Sequence, residues 1–328
     1  MIRRLLTSRE LILALAILGL TGLIALKFPG FIEPSNLIDA FNDTSPLIIL
    51  ALGQMVVILT RCIDLSVAAN LALTGMIVAM INTTFPSVPV PILIMVAISA
   101  GALMGALNGL LTWKLEIPPI VVTLGTMTIF RGLVFVLSEG QWINAHEMSD
   151  SFKAFPRNEF LNLPVLSWFA IIITLLVVIM VSRTPLGRAF YAVGGNPNAS
   201  VYAGIDVGRT QFLAFTISGA LAGLTGYLWV SRYAVAYVDI AGGFELDVVA
   251  ACVIGGISIA GGVGTVIGAF LGAIFLGVIK NALPVIGISP FAQLAISGAA
   301  IIIAVAFNSS YRNKKGRLIL KREEAADG

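Results

Sequence analysis

Charge is what this sequence lacks most. Only 11% of its 328 residues are Asp, Glu, Lys or Arg, against about 25% in globular chains. That shortfall excludes a soluble domain. With 58% hydrophobic residues and a mean hydropathy of +0.99, the chain has the hydrocarbon core of a membrane as its solvent, where the backbone must satisfy its own hydrogen bonds. Histidine is reduced to His146, so no paired-histidine metal site can form and no metal is expected. A single loop histidine reads as a solvated side chain. Cysteine is limited to Cys62 and Cys252, both at or in apolar segments, which argues against a disulfide framework and for packing. Neither G-x-S-x-G nor G-x-x-x-x-G-K-[ST] occurs, so no catalytic residue is assigned and no enzyme is expected. The glycine-rich GGISIAGGVGTVIG at 255–268 lacks the lysine and flanking strand of a phosphate cradle. The formal charge of +3 gives no reason to expect nucleic acid.

What is present is a series of apolar runs without a period of two, and hence helices rather than barrel strands. The expectation is an all-α integral membrane protein with about ten crossings. They fall near 10–28, 45–60, 67–85, 91–113, 118–138, 165–182, 210–231, 245–260, 263–283 and 290–307. The opening MIRRLLTSRE imitates a signal peptide, but the apolar stretch after it is longer than an h-region and no cleavage site follows, so it reads as a retained first span. Pro34–Thr44 reads as a short interfacial segment. Gly255, Gly256, Gly261 and Gly262 interrupt the eighth span. The chain reads as one domain, 1–328, with 308–328 as a tail. Spans 2–5 and 7–10 form two sets of four separated by one crossing, the parity of inverted repeats.

Orientation follows from the basic residues in the links. With the N-terminus inside, Arg3, Arg4, Arg9, Arg61, Lys114, Arg183, Arg188, Arg209 and six residues of the tail lie on the cytoplasmic side. Lys27, Lys153, Arg157, Arg232 and Lys280 lie outside, and Arg131 lies within a span, which accounts for all 20 Lys and Arg. Both termini are then cytoplasmic, as an even number of crossings requires.

Three groups of residues stand out. Arg61, Asp64 and Ser66 crowd a turn between spans 2 and 3. Arg61 suits a helix C-terminus, and Asp64 and Ser66 suit the N–H groups that open the next helix. The polar side chains within spans are Gln54, Asn70, Asn108, Thr123, Thr126, Arg131, Asn281 and Gln293. Such groups are costly in lipid and face protein or water. Neutral amides and hydroxyls suit an uncharged polyhydroxylated solute, although helix-to-helix hydrogen bonding explains any one of them as well. For Arg131 the favoured reading is an ion pair or contacts with carbonyls. The third group is in the inner link 183–209. Asn196 followed by Pro197 is an N-cap with proline at the first helical position, and Gly204 is a stop. A two-turn helix outside the membrane, offering Val201, Tyr202 and Ile205, points to docking rather than mere connection.

Three blocks carry a family likeness: VILTRCIDLSVAANLALTG at 57–75, GRAFYAVGGNPNASVYAGIDV at 187–207 and FELDVVAACVIGGISIAGGVGTVIGA at 244–269. From Asn36 to Phe307 the chain resembles the permease subunits of bacterial sugar-type ABC importers, the ribose, xylose, arabinose and rhamnose group. It looks most like the rhamnose-transport permeases and is related more distantly to branched-chain amino acid permeases. The resemblance implies a pathway subunit in the inner membrane that moves a monosaccharide and binds no cofactor, because ATP is bound by a partner. The implied partners are a cytoplasmic ABC ATPase, an external solute-binding protein and a second permease copy, identical or different. It makes Asn196–Gly204 the helix that couples to the ATPase. Where the family usually has Ser-Gly or Gly-Gly, this chain has Arg61-Cys62. The rival readings are a secondary transporter or facilitator acting alone, and import of branched-chain amino acids or nucleosides on the same scaffold.

Overall fold

The computed structural model describes residues 9–289 and, beyond them, 292, 295, 298 and 299. The expected tenth span, with Gln293, and the tail at 308–328 lie outside the described residues. Within them the chain is helical, apart from a two-residue hairpin, β1 (Glu159–Phe160) against β2 (Leu163–Pro164). The helices run α1 (Arg9–Lys27), α2 (Pro34–Leu59), α3 (Val67–Thr84), α4 (Val90–Lys114), α5 (Pro119–Ser138), α6 (Asp150–Ala154), α7 (Val165–Arg183), α8 (Pro185–Gly195), α9 (Pro197–Tyr202), α10 (Val207–Tyr233), α11 (Phe244–Ile254) and α12 (Val266–Val285). Eight of these are long and apolar enough to cross a membrane.

The arrangement is inside-out relative to a soluble protein. Leu103, Val136 and Leu175 are exposed on α4, α5 and α7, whereas Gln54, Asn70, Asn108 and Thr123 are fully buried. Helix α2 is the centre of the bundle, with Leu47–Leu59 buried on every side.

Two expected boundaries are corrected. Pro34–Thr44 is not a separate interfacial piece but the first turns of α2, which continues through Pro46. A proline ring opens the turn before it. Here Thr44 donates to the Ala40 carbonyl at 2.7 Å and Ser45 to the Phe41 carbonyl at 2.9 Å, so hydroxyls supply hydrogen bonds in that turn. The eighth span is not a helix of full length either. Helix α11 stops at Ile254 after 11 residues, about 16 Å of rise, short of a hydrocarbon core of about 30 Å. Irregular backbone follows through 255–265, with Ile259, Ala260, Val263 and Thr265 exposed. Protein partners meet part of it, the Gly262 N–H donating to the Leu59 carbonyl at 3.0 Å.

The glycine stripe at 101, 105 and 109 seats α4 on α10. A Cβ on Gly105 would lie 2.2 Å from the Phe215 carbonyl oxygen, and one on Gly101 would lie 2.3 Å from that of Gly219. Gly272 presses likewise on the Ala251 carbonyl of α11. Close backbone approach is the basis of association between apolar helices that gain nothing by leaving lipid. Gly125 on α5 has no neighbour within 4 Å. We predict that Gly105→Ala costs about 1–3 kcal/mol in reversible detergent unfolding while Gly125→Ala is neutral. Equal effects would contradict the packing.

Candidate functional site

The link between α2 and α3 turns inward instead of lying on the surface. Asp64 and Ser66 are buried, and only Arg61 in the turn is exposed. Polar backbone in such a place needs partners, and the spans supply them. The Gln54 amide, oriented to satisfy both groups, donates to the Asp64 carbonyl at 3.1 Å and accepts from the Asp64 N–H at 3.2 Å. The Asp64 carboxylate accepts from the Ser66 N–H at 2.9 Å and the Ser66 hydroxyl at 2.6 Å. Asn108, from α4, donates to Ser66 Oγ at 2.8 Å. Thr123, from α5, donates to the Ile63 carbonyl at 3.3 Å. Asn70, one turn into α3, donates to the Gly101 carbonyl at 3.1 Å.

The sequence reading of Asp64 and Ser66 as caps for α3 is therefore corrected. Ser66 occupies the N-cap position, but its side chain makes no cap hydrogen bond; it turns to Asp64 and Asn108, because those partners are already within reach. Four of the polar span residues are thus engaged: Gln54, Asn108 and Thr123 bond the buried link that holds Asp64 and Ser66, while Asn70 ties α3 to α4 through the Gly101 carbonyl. Two of them keep spare capacity: Asn70 Oδ1 and Asn108 Oδ1 are buried and accept no hydrogen bond from the described residues. Thr126 stands apart, its hydroxyl turned back to the Val122 and Thr123 carbonyls of its own helix. Asn281 is also elsewhere, donating to Gly277 at 2.9 Å and lining a cavity of about 580 Å³ at the outer end, with Lys27, Asp39 and Asp43. Arg131 makes carbonyl contacts, with Ile240 at 2.6 Å and Ala241 at 3.2 Å.

In the 183–209 link, Asn196 caps α9 as expected, its side chain accepting from the Ala199 N–H at 3.1 Å. Pro197 follows in the first turn, the helix ends at Tyr202, and Gly204 takes φ +79° just beyond. Tyr202 is 92% exposed and Val201 61%; Ile205 is half-buried. Helix α8, just before it, escaped the sequence reading although its signal was present. Thr184 accepts from the Gly187 N–H at 3.2 Å, with Pro185 at the first position, the same signature as Asn196-Pro197.

Three backbones meet where α8 ends. A Cβ on Gly194 would lie 1.7 Å from the Leu59 carbonyl oxygen and 2.4 Å from the Gly262 N. Gln211 of α10 donates to the Thr60 carbonyl at 3.2 Å, and Tyr191 of α8 donates to the Gly264 carbonyl at 2.8 Å. Arg61, at φ +66°, does not serve its own helix. It crosses to α8, with Nε 2.7 Å from the Gly194 carbonyl oxygen and Nη2 2.9 Å from that of Gly195.

The described residues form a multi-span bundle with a short capped helix, α9, whose Tyr202 is exposed. Comparison with known proteins supplies the family. Residues 36–305 match the family described as branched-chain amino acid transport system / permease component. The chain belongs to this family. Over 281 residues it is 41% identical to the autoinducer 2 import system permease protein LsrC of Enterobacter sp. (strain 638), covering 86% of this chain and 81% of the relative. The ribose import permease protein RbsC of Bacillus subtilis (strain 168) is 35% identical over 283 residues, 86% of this chain and 87% of its own. RbsC of Escherichia coli (strain K12) is 35% identical over 293 residues, 89% and 91%. No solved structure matches. The chain is thus a multi-pass membrane permease without catalytic activity of its own, and ATP is bound by a separate ATPase.

Burial raises the pKa of the Asp64 carboxyl, in the link between spans, above the ordinary range, against the lowering effect of the two hydrogen bonds from Ser66. A carboxyl whose folded value is raised stabilises the fold fully below about pH 4 and loses that contribution as pH rises through the raised value. Asp64→Asn, which keeps an oxygen for Ser66, should flatten the fall in thermal stability as pH rises above about 4. An unchanged slope would contradict this reading.

Proposed function

We propose that this chain is the transmembrane permease subunit of an ABC importer for a monosaccharide or a similar small polyhydroxylated solute. The whole of 1–328 is read as one permease domain with both termini cytoplasmic, in agreement with the excess of Lys and Arg on that side. The observation that carries the reading is α9. Burial in a neighbouring protein accounts for a tyrosine 92% exposed on a capped helix beside the membrane. A groove in the separate ATPase is the natural acceptor, and an external binding protein delivers the solute.

The relatives named above import ribose and autoinducer 2, both small oxygen-rich molecules, and their likeness favours a sugar over a branched-chain amino acid. Rhamnose is the finer proposal, resting on the resemblance of the three sequence blocks alone. Gln54, Asn70, Asn108 and Thr123 are the proposed polar lining of the path, with Thr126 and Asn281 as further candidates. In this arrangement the donors of the first four are spent on Asp64, Ser66 and the carbonyls of Ile63 and Gly101. As two permease copies rock apart, the open acceptors Asn70 Oδ1 and Asn108 Oδ1 become available to solute hydroxyls.

Val201→Asp and Tyr202→Asp should leave the chain folded and inserted, since neither side chain is buried. They should abolish co-purification with the ATPase. Retention of a stable complex by both variants would remove the docking role of α9.

A further inference from the structure

The buried link and the docking helix are 130 residues apart in sequence, and one side chain joins them. Arg61 leaves the link at the base of α2 and spans two successive carbonyls at the end of α8, immediately before α9. We propose that Arg61 is a positioning residue that transmits displacement of α9 to the buried polar link, making the opening of that link follow the ATPase. The inference rests on the ABC reading above and adds to it the route by which the two sites communicate.

The geometry selects arginine. The last carbonyls of a helix have no intrahelical donor and carry partial negative charge. A planar guanidinium offers donors in a fixed fork that can take two neighbouring carbonyls at once, which an ammonium cannot reproduce. The stem is also accommodated: a Cβ on Gly261 would come within 2.4 Å of Arg61 Cγ, so the 255–265 loop is shaped around it. Backbone preference points the other way. At φ +66° glycine would be the easier residue, so it is the side chain that gives arginine its purpose there. Movement of α9 pulls on Gly194 and Gly195 through the single connecting residue Asn196, and Arg61 passes that movement to Asp64 and Ser66 three and five residues on.

Arg61→Gly removes the guanidinium while relieving the left-handed backbone; Arg61→Ala removes it and keeps the strain. If Arg61 mattered only through its backbone conformation, Gly would be harmless and Ala harmful. As a transmitter, both should fail alike. In proteoliposomes with the full importer, rhamnose or ribose moved per ATP hydrolysed should fall about five-fold or more in both variants, with partial rescue by Arg61→Lys. Thermal stability of Arg61→Gly should equal or exceed that of the unaltered chain. Independently of any ATPase, hydrogen exchange of the permease alone should quicken at 196–204 and at 62–66 in Arg61→Gly. Undiminished transport per ATP in Arg61→Gly, or unchanged exchange at both segments, would overturn the proposal. If the unaltered importer showed no ATP-coupled uptake, the functional reading would fail, while the exchange measurement would still decide whether Arg61 joins the two segments.

Discussion

Seven residues of non-helical backbone, Thr60–Ser66, sit at the base of a bundle whose surroundings are apolar, and every polar group in them has to be met. That requirement explains the company they keep. An unpaired amide or carboxyl in such a place costs several kcal/mol (about 2–7), far more than any one helix contact contributes. Gln54 and Asp64, Ser66 and Asn108, Thr123 and Ile63 are therefore fixed partners, and the helices that carry them, α2, α4 and α5, are held in register by that pairing. A change anywhere in the link is felt in several helices. This is the physical basis for treating the link as the part that opens.

The glycines have the complementary role. Where α4 crosses α10, and where the ends of α2 and α8 meet the 255–265 loop, the backbones touch with no room for a Cβ. Surfaces of this kind transmit displacement without slack, because no flexible side chain lies between them. Arg61 and Gln211 add directional hydrogen bonds across the same junction. The link between α5 and α7 is tied in its own way: Asn82 pairs with Ser149 in both directions, and Phe152 is buried edge-on against Tyr227 at 5.1 Å between centroids. That link is thus a packed cap over α3 and α10. His146 on it is exposed, as a solvated histidine should be.

Local physics made much of this legible in the sequence. Long apolar runs gave the spans, and Asn196-Pro197 with Gly204 gave α9 with its cap and stop, because capping involves residues three or four apart. The failures share a cause. Pro34–Thr44 looked separate from the apolar run that follows, yet the helix continues through Pro46, with the hydroxyls of Thr44 and Ser45 bonded in that turn. The glycines of the eighth span marked an interruption, but not that 255–265 leaves the helix and pairs with Leu59, just over two hundred residues before Gly262. Asp64 and Ser66 looked like caps because their true partners, Gln54 and Asn108, belong to other spans. The gathering of Gln54, Asn108 and Thr123 around one link is tertiary, and no spacing encodes it.

The account makes this chain a pathway with its motor elsewhere. The most direct measurement is uptake of radiolabelled rhamnose and ribose into proteoliposomes, with the permease alone and then with its ATPase and binding protein. The account predicts no accumulation and no ATP hydrolysis by the permease alone under any ion gradient, and ATP-dependent accumulation once the partners are added. Uptake by the unaccompanied chain, or hydrolysis by it, would contradict the account.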